Sequence, residues 1–64
     1  MEKREIWFVP YVPAHWVVIK TLRFIKIKEY ECGKLLKTYW FRYYKNAMDY
    51  LIYQGAVKKE GRYV

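Results

Sequence analysis

Residues 14–28, AHWVVIKTLRFIKIK, govern the choice between a helical and a β-rich fold for this chain. Val18, Leu22 and Ile25 keep helical spacing, and the proline that precedes the segment suits a first helical position. Against this, FIKIKEY alternates strictly between apolar and polar residues, and the many β-branched residues of the segment favour strands. Helix and strand both remain open over residues 16–28. We expect a helix from Ala14 to Arg23 or Ile25, followed by a short strand over residues 27–30.

The clearest helical signal lies further along the chain. Apolar residues fall three and four positions apart at Tyr44, Ala47, Met48 and Leu51, and Gly55 stands where a left-handed C-terminal cap is needed. This pattern predicts a helix over residues 42–54. Upstream, the sequence CGKLLKTY predicts a shorter helix over residues 32–39. Two helices with so short a connection must cross steeply, as in a helix-turn-helix.

Both ends of the chain have strand character. The N-terminal sequence EIWFVPYVP contains two prolines, which restrict it to an extended conformation, and we expect residues 1–13 to form an extended arm. After Gly55, two short segments flank Glu60 and Gly61, a pair able to form a tight turn. We therefore expect a C-terminal hairpin with the basic residues Lys58, Lys59 and Arg62 around its turn.

Composition narrows the class of protein. The chain has 64 residues, which predicts a single domain, 1–64. Its net charge of +7 makes nucleic acid the first candidate partner, and the alternative is a basic protein that merely stays soluble or sits in an assembly. Its 22% of aromatic residues argue against disorder. One cysteine and one histidine allow neither an internal disulfide nor a structural zinc site, so we expect no metal, no cofactor and a reducing cytoplasmic location. The longest uncharged run is 14 residues, too short to span a membrane.

Two further features concern source and catalysis. Serine is absent, and side-chain amides are rare, a tendency both of hyperthermophile proteins and of AT-rich codon usage. Cys32 and His15 lie in different segments, with no third group to complete a nucleophilic site. No glycine-rich phosphate loop or paired-carboxylate motif is present. We therefore expect a protein that is not an enzyme and has no small-molecule substrate.

The sequence NAMDYLIYQGAVKKEGRYV, residues 46–64, resembles the winged helix-turn-helix domains of archaeal, bacterial and viral transcription regulators. The resemblance rests on an apolar pair, a leucine, a glycine, an apolar strand residue and a final aromatic, namely Ala47, Met48, Leu51, Gly55, Val57 and Tyr63. GKLLKTY similarly looks like the second helix of that family. The resemblance implies an α+β fold, a small winged helix-turn-helix with three helices and a C-terminal β-hairpin wing. It also implies a regulator that binds double-stranded DNA, with a virus or mobile element as one candidate source.

The resemblance assigns roles to particular residues. It makes residues 42–54 the recognition helix in the major groove. Arg42 and Asn46 then suit guanine and adenine edges, while Asp49 pairs with Lys45 one turn away. Wing lysines would contact phosphates, although charged residues also protect exposed strand edges. The expected DNA-binding residues are Arg42, Tyr43, Lys45, Asn46, Lys58, Lys59 and Arg62.

Other readings of the same residues stay open. Lys20, Arg23, Lys26 and Lys28 either extend a contact surface or form an ordinary solvated face. The aromatics interleaved with basic residues in KTYWFRYYK either stack on single-stranded bases or fill the core. We expect a homodimer in which the apolar residues 6–9 of swapped arms are hidden. The alternative functions are a protein-interaction module and an RNA-binding ribonucleoprotein component.

Overall fold

The computed structural model describes residues 3–59, which form a five-stranded sheet and one helix. In chain order the elements are β1 (Lys3–Phe8), β2 (Ala14–Lys20), β3 (Ile25–Glu31), β4 (Lys34–Phe41), α1 (Tyr44–Tyr53) and β5 (Val57–Lys58). The strand order is β4-β3-β2-β1-β5, and every neighbouring pair is antiparallel. The first four strands form a meander. After β4 the chain crosses one face of the sheet as α1 and adds β5 beside β1.

The predicted helix from Ala14 is wrong, because this segment forms β2 and the following turn. Thr21 makes the turn: its hydroxyl oxygen accepts hydrogen bonds from the backbone N–H groups of Arg23 and Phe24 at 3.3 and 3.1 Å. Leu22, which completed the helical spacing, is 92% exposed at the tip of this turn. Val18 instead pairs with Ile27 across β2 and β3, and both side chains are fully buried. The strand expected over residues 27–30 is confirmed as part of β3.

The predicted helix over residues 32–39 is also wrong, because these residues form the β3–β4 turn and most of β4. Cys32 and Gly33 reverse the chain with φ angles of 53° and 80°, and the backbone N–H of Cys32 donates to the Pro13 carbonyl at 2.8 Å. Leu35 and Leu36 are both exposed beside a register shift in the β3–β4 pairing. The two leucines therefore lie at a β-bulge and do not form the apolar face of a helix.

The helix predicted over residues 42–54 is confirmed as α1, and its apolar stripe faces the sheet. Ala47 and Leu51 are fully buried one helical turn apart, and they pack in one cluster with strand residues such as Val18 and Ile27. Trp7, Trp16, Ile25 and Ala56 complete this core. Burial of each large aliphatic side chain stabilises the fold by about 1.5 to 3 kcal/mol. This core cluster thus lies between α1 and one face of the sheet, while Ile19 is buried separately on the opposite face.

Gly55 ends α1 with a φ of 78°, a conformation in which an L side chain is strained. Backbone bonds from Gly55 N to Ile52 O and from Ala56 N to Leu51 O close the helix end at 2.9 and 3.0 Å. The chain then runs back along β1, where Lys59 N donates to Ile6 O at 2.8 Å. This return places β5 at one edge of the sheet.

The winged helix-turn-helix fold is therefore wrong for this chain. Residues 3–59 contain one helix instead of three, and no helix-turn-helix. Val57 and Lys58, expected in a wing, pair with β1, while the predicted wing turn at Glu60 and Gly61 lies outside the described residues. The extended arm predicted over residues 1–13 is wrong beyond β1: residues 3–8 are extended and pair with β2 and β5 of the same chain, whereas residues 10–13 form the turn into β2, with a φ of 66° at Tyr11. The homodimer with swapped arms stays a prediction.

Candidate functional site

The sheet has one face that α1 covers and a second face that no other element of residues 3–59 covers. Strand alternation and the pairing register assign the side chains of this second face, which we call the open face. Each strand contributes to it. Its members are Arg4, Ile6, Phe8, His15, Val17, Ile19, Lys26, Lys28, Tyr30, Leu35, Thr38, Trp40, Val57 and Lys59.

The acidic side chains of the described strands lie on only one face of the sheet. Four basic side chains lie on the open face: Arg4, Lys26, Lys28 and Lys59. Within residues 3–59 the open face carries no acidic side chain, because the strand carboxylates alternate onto the covered face and Asp49 lies on α1. A surface with one sign of charge attracts ligands of the opposite sign. The open face is therefore suited to an anionic partner.

One end of the open face is aromatic. Phe8, His15 and Tyr30 are cross-strand neighbours on β1, β2 and β3. The rings of His15 and Tyr30 stack with centroids 4.9 Å apart and planes 2° from parallel. A depression of about 440 Å³ lies beside them, lined by Ile6, Phe8, His15 and Lys59. Its lining combines apolar and aromatic side chains with one ammonium group.

The other end of the open face presents Trp40, whose side chain is 59% exposed. Lys26 Nζ lies 5.0 Å from the centroid of the Trp40 ring, a cation–π distance. The Phe24 ring meets the same indole edge-on at 5.0 Å. These two contacts hold a large aromatic ring and an ammonium group together at the surface.

The covered face contains a buried carboxylate that binds several donors. Glu5 is 6% exposed and accepts hydrogen bonds from Trp7 Nε1 at 3.1 Å and from the Tyr44 hydroxyl at 3.0 Å. Lys20 Nζ and Lys58 Nζ lie 3.0 and 3.4 Å from the same carboxylate. The cluster thus joins β1, β2, β5 and the start of α1. The single carboxylate balances the charge of only one of the two lysines, so the cluster keeps one net positive charge.

These contacts shift the acidity of both partners. Burial raises the pKa of the Glu5 carboxyl, but hydrogen bonds from Trp7, Lys20 and Tyr44 and the charge of Lys20 lower it more, so it lies below the usual 4.5. Burial and the bond to the carboxylate raise the pKa of Tyr44 from 10.0 to about 12. At neutral pH Glu5 is therefore ionised and Tyr44 is a neutral donor.

The predicted DNA-binding residues fall in separate places. Arg42, Tyr43, Lys45 and Asn46 are exposed where β4 leads into α1. The predicted pair of Lys45 with Asp49 is confirmed at 3.5 Å. Lys58 is bound to Glu5 on the covered face, whereas Lys59 lines the depression on the open face. Arg62 lies outside the described residues. Contact of any of these residues with DNA stays a prediction.

The open face was only partly visible in the sequence. Alternation in FIKIKEY separates Lys26 and Lys28 from Ile25 and Ile27, and both lysines were named as a possible contact group. Of that group, Lys20 instead pairs with Glu5, and Arg23 lies in the β2–β3 turn. Phe8 and His15 were missed, because assigning them to an arm and a helix start hid their adjacency.

Comparison with known proteins adds no further assignment. No family model matches the chain, and no match is found among curated proteins or among solved structures. Across residues 3–59, His, Cys, Asp and Glu side chains form no group of three that could hold a metal ion. The one helix in this part of the chain is too short to cross a membrane.

Proposed function

We propose that the protein binds nucleic acid through the open face of its sheet. The observation that carries this proposal is the composition of that face: basic and aromatic side chains lie together on it, and its described part holds no carboxylate. Phosphates supply the negative charge that such a face requires, and bases supply flat apolar surfaces for its rings. Antiparallel sheets with an uncovered face of this kind form a recurring platform for nucleic acid.

The arrangement of the lysines supports the proposal. Lys26 and Lys28 lie on β3, an interior strand of the sheet, and Lys59 follows the edge strand β5. Three strand spacings, about 14 Å, separate the Lys28 and Lys59 positions along one row of the sheet. A bound backbone that crosses the strands can therefore contact cations at both sides of the depression. Duplex DNA and a role in gene regulation, expected from the sequence, stay proposals within this broader one.

The exposed start of α1 is the competing surface. Arg42 and Lys45 are both exposed there, and α1 lies on the side of the sheet away from the open face. Two double charge reversals separate the surfaces: Lys26→Glu with Lys28→Glu on the open face, and Arg42→Glu with Lys45→Glu at α1. Each lowers the net charge by four, from +7 to +3. General electrostatic attraction therefore falls equally in both.

Fluorescence anisotropy with labelled single-stranded RNA, single-stranded DNA and duplex DNA tests the proposal. If four cations contact phosphates, log K falls by about 3 per tenfold rise in salt for a single strand. The open-face reversal should lower affinity at least tenfold and roughly halve this slope, and the α1 reversal should change both much less. Equal effects of the two reversals, or no binding to any of the three ligands at low salt, would contradict the proposal.

A further inference from the structure

The depression on the open face indicates which kind of nucleic acid fits. Resting on the function proposed above, we infer that the ligand is single-stranded and that one unstacked base occupies the depression lined by Ile6, Phe8, His15 and Lys59. Lys59 then contacts the phosphate of that nucleotide.

The lining matches a nucleotide in chemistry and in size. Ile6 and Phe8 offer apolar and aromatic surface to the base, His15 adds an aromatic ring with polar nitrogens, and Lys59 supplies a cation for the phosphate. The volume of about 440 Å³ lies within the range of about 300 to 1,000 Å³ of small-ligand sites. No carboxylate of the described chain lies on this face to repel the phosphate. A nucleotide therefore matches both the volume and the charge of the depression.

The width of the sheet disfavours a duplex on this face. Five strands at a spacing of about 4.8 Å place the outer strands about 19 Å apart, whereas the major groove is about 12 Å wide. The groove admits a two-stranded ribbon, not this whole face. In addition, a paired and stacked base presents only its edges to the grooves, so it cannot enter a depression lined by side chains. A single strand lying across the strands meets neither obstacle.

Trp40 provides a second aromatic surface at the far end of the same face. Lys28 lies between the depression and Trp40, and Lys26 lies over the indole ring. A single strand of several nucleotides that begins with a base in the depression would pass these lysines before reaching Trp40. Aromatic rings at both ends with lysines between them form the arrangement expected when bases stack on the rings and the lysines neutralise the phosphates.

The first test uses the wild-type protein with three ligands of matched phosphate count. These are a short single-stranded oligothymidylate, the abasic oligomer that lacks its bases, and a duplex with the same number of phosphates. We expect the oligothymidylate to bind at least tenfold more tightly than either of the others. Equal or tighter binding of the duplex or of the abasic oligomer would overturn the inference. If the duplex alone binds, and its binding is lost with the reversal of Lys26 and Lys28, the proposed function stands and the base site does not.

The second test substitutes the ring that lines the depression. Phe8→Leu keeps an apolar side chain but removes the aromatic surface, and Tyr53→Leu removes an exposed ring from α1 as the matched control. Phe8→Leu should weaken oligothymidylate binding about 5- to 150-fold, the loss of one stacked base, and leave abasic binding and the salt slope unchanged. Circular dichroism verifies folding. Equal weakening of both ligands, or an equal effect of Tyr53→Leu, would refute the base site.

Discussion

Replacing Glu5 with glutamine tests the buried carboxylate that joins β1, β2, β5 and α1. The substitution keeps the side-chain shape, but it removes the charge and puts an amide N–H₂ in place of one acceptor oxygen. The bonds from Trp7 and Tyr44 then fall from charge-assisted strength, about 1.5 to 3 kcal/mol, toward about 1 kcal/mol each. Lys20 and Lys58 keep 29% and 46% of their side-chain surface exposed, so each ion pair contributes less than about 1 kcal/mol.

These contributions give an expected loss of about 2 to 3 kcal/mol of unfolding free energy at pH 7. The total unfolding free energy of a domain of this size is about 3 to 10 kcal/mol, so the substitution should remove a large fraction of its stability. Urea denaturation should show a midpoint lowered by about 1 to 2 M. The control is Glu31→Gln, because Glu31 is exposed and its neutralisation should cost under about 0.5 kcal/mol.

The pH dependence gives a second readout of the same substitution. Folding lowers the pKa of the Glu5 carboxyl, so its contribution to the free energy of unfolding is fully present above about pH 4.5. That contribution is lost as the pH falls below this value. The stability difference between wild type and Glu5→Gln should therefore shrink on going from pH 7 to pH 3. Equal stability at pH 7, or a difference that stays constant down to pH 3, would refute this account of the cluster.

The remaining predictions concern the core and the alkaline limit of stability. Leu51→Ala should lower the free energy of unfolding by about 2 to 5 kcal/mol because Leu51 is fully buried. Ile52→Ala is the control and should lower it by under about 1 kcal/mol, because Ile52 is largely exposed. Similar melting temperatures of the two variants would mean that α1 packs through another face. Since folding raises the pKa of Tyr44 from 10.0 to about 12, the stability from its hydroxyl is kept below pH 10 and is lost as pH rises through 12. The tyrosinate absorbance phase near pH 12 should lose the amplitude of one tyrosine in Tyr44→Phe, while Tyr50, whose pKa burial raises further, still titrates later; an unchanged amplitude near pH 12 would contradict the assignment.

The helix α1 was predictable because its determinants are local. Ala47 and Leu51 lie one turn apart, and Gly55 supplies the left-handed residue that ends the helix, so the printed sequence contains the whole signal. The fold around it was not predictable, because strand pairing joins residues far apart in the chain. Val18 and Leu22 have helical spacing, yet Val18 is buried by Ile27 across the sheet while Leu22 points into solvent from a turn.

The candidate site was hidden for a related reason. A face of a sheet exists only once the register is known, and Phe8, His15 and Tyr30 become neighbours through pairings of three strands. The face on which Lys26 and Lys28 lie was easier to predict, because they alternate with buried isoleucines and this alternation is visible in the sequence. The adjacent lysines Lys58 and Lys59 could not be told apart from the sequence, because they face opposite sides of the sheet, Lys58 bound to Glu5 and Lys59 at the depression.

Backbone amide chemical-shift mapping by nuclear magnetic resonance tests the central claim most directly, because it reports where a ligand binds without substituting any residue. The protein is titrated with a short oligothymidylate. The account predicts that the largest shifts occur in β1, β2 and β3, around Phe8, His15 and Lys28, and that the outer surface of α1 changes little. Shifts concentrated in residues 42–46 at the start of α1, with the three strands unchanged, would contradict it.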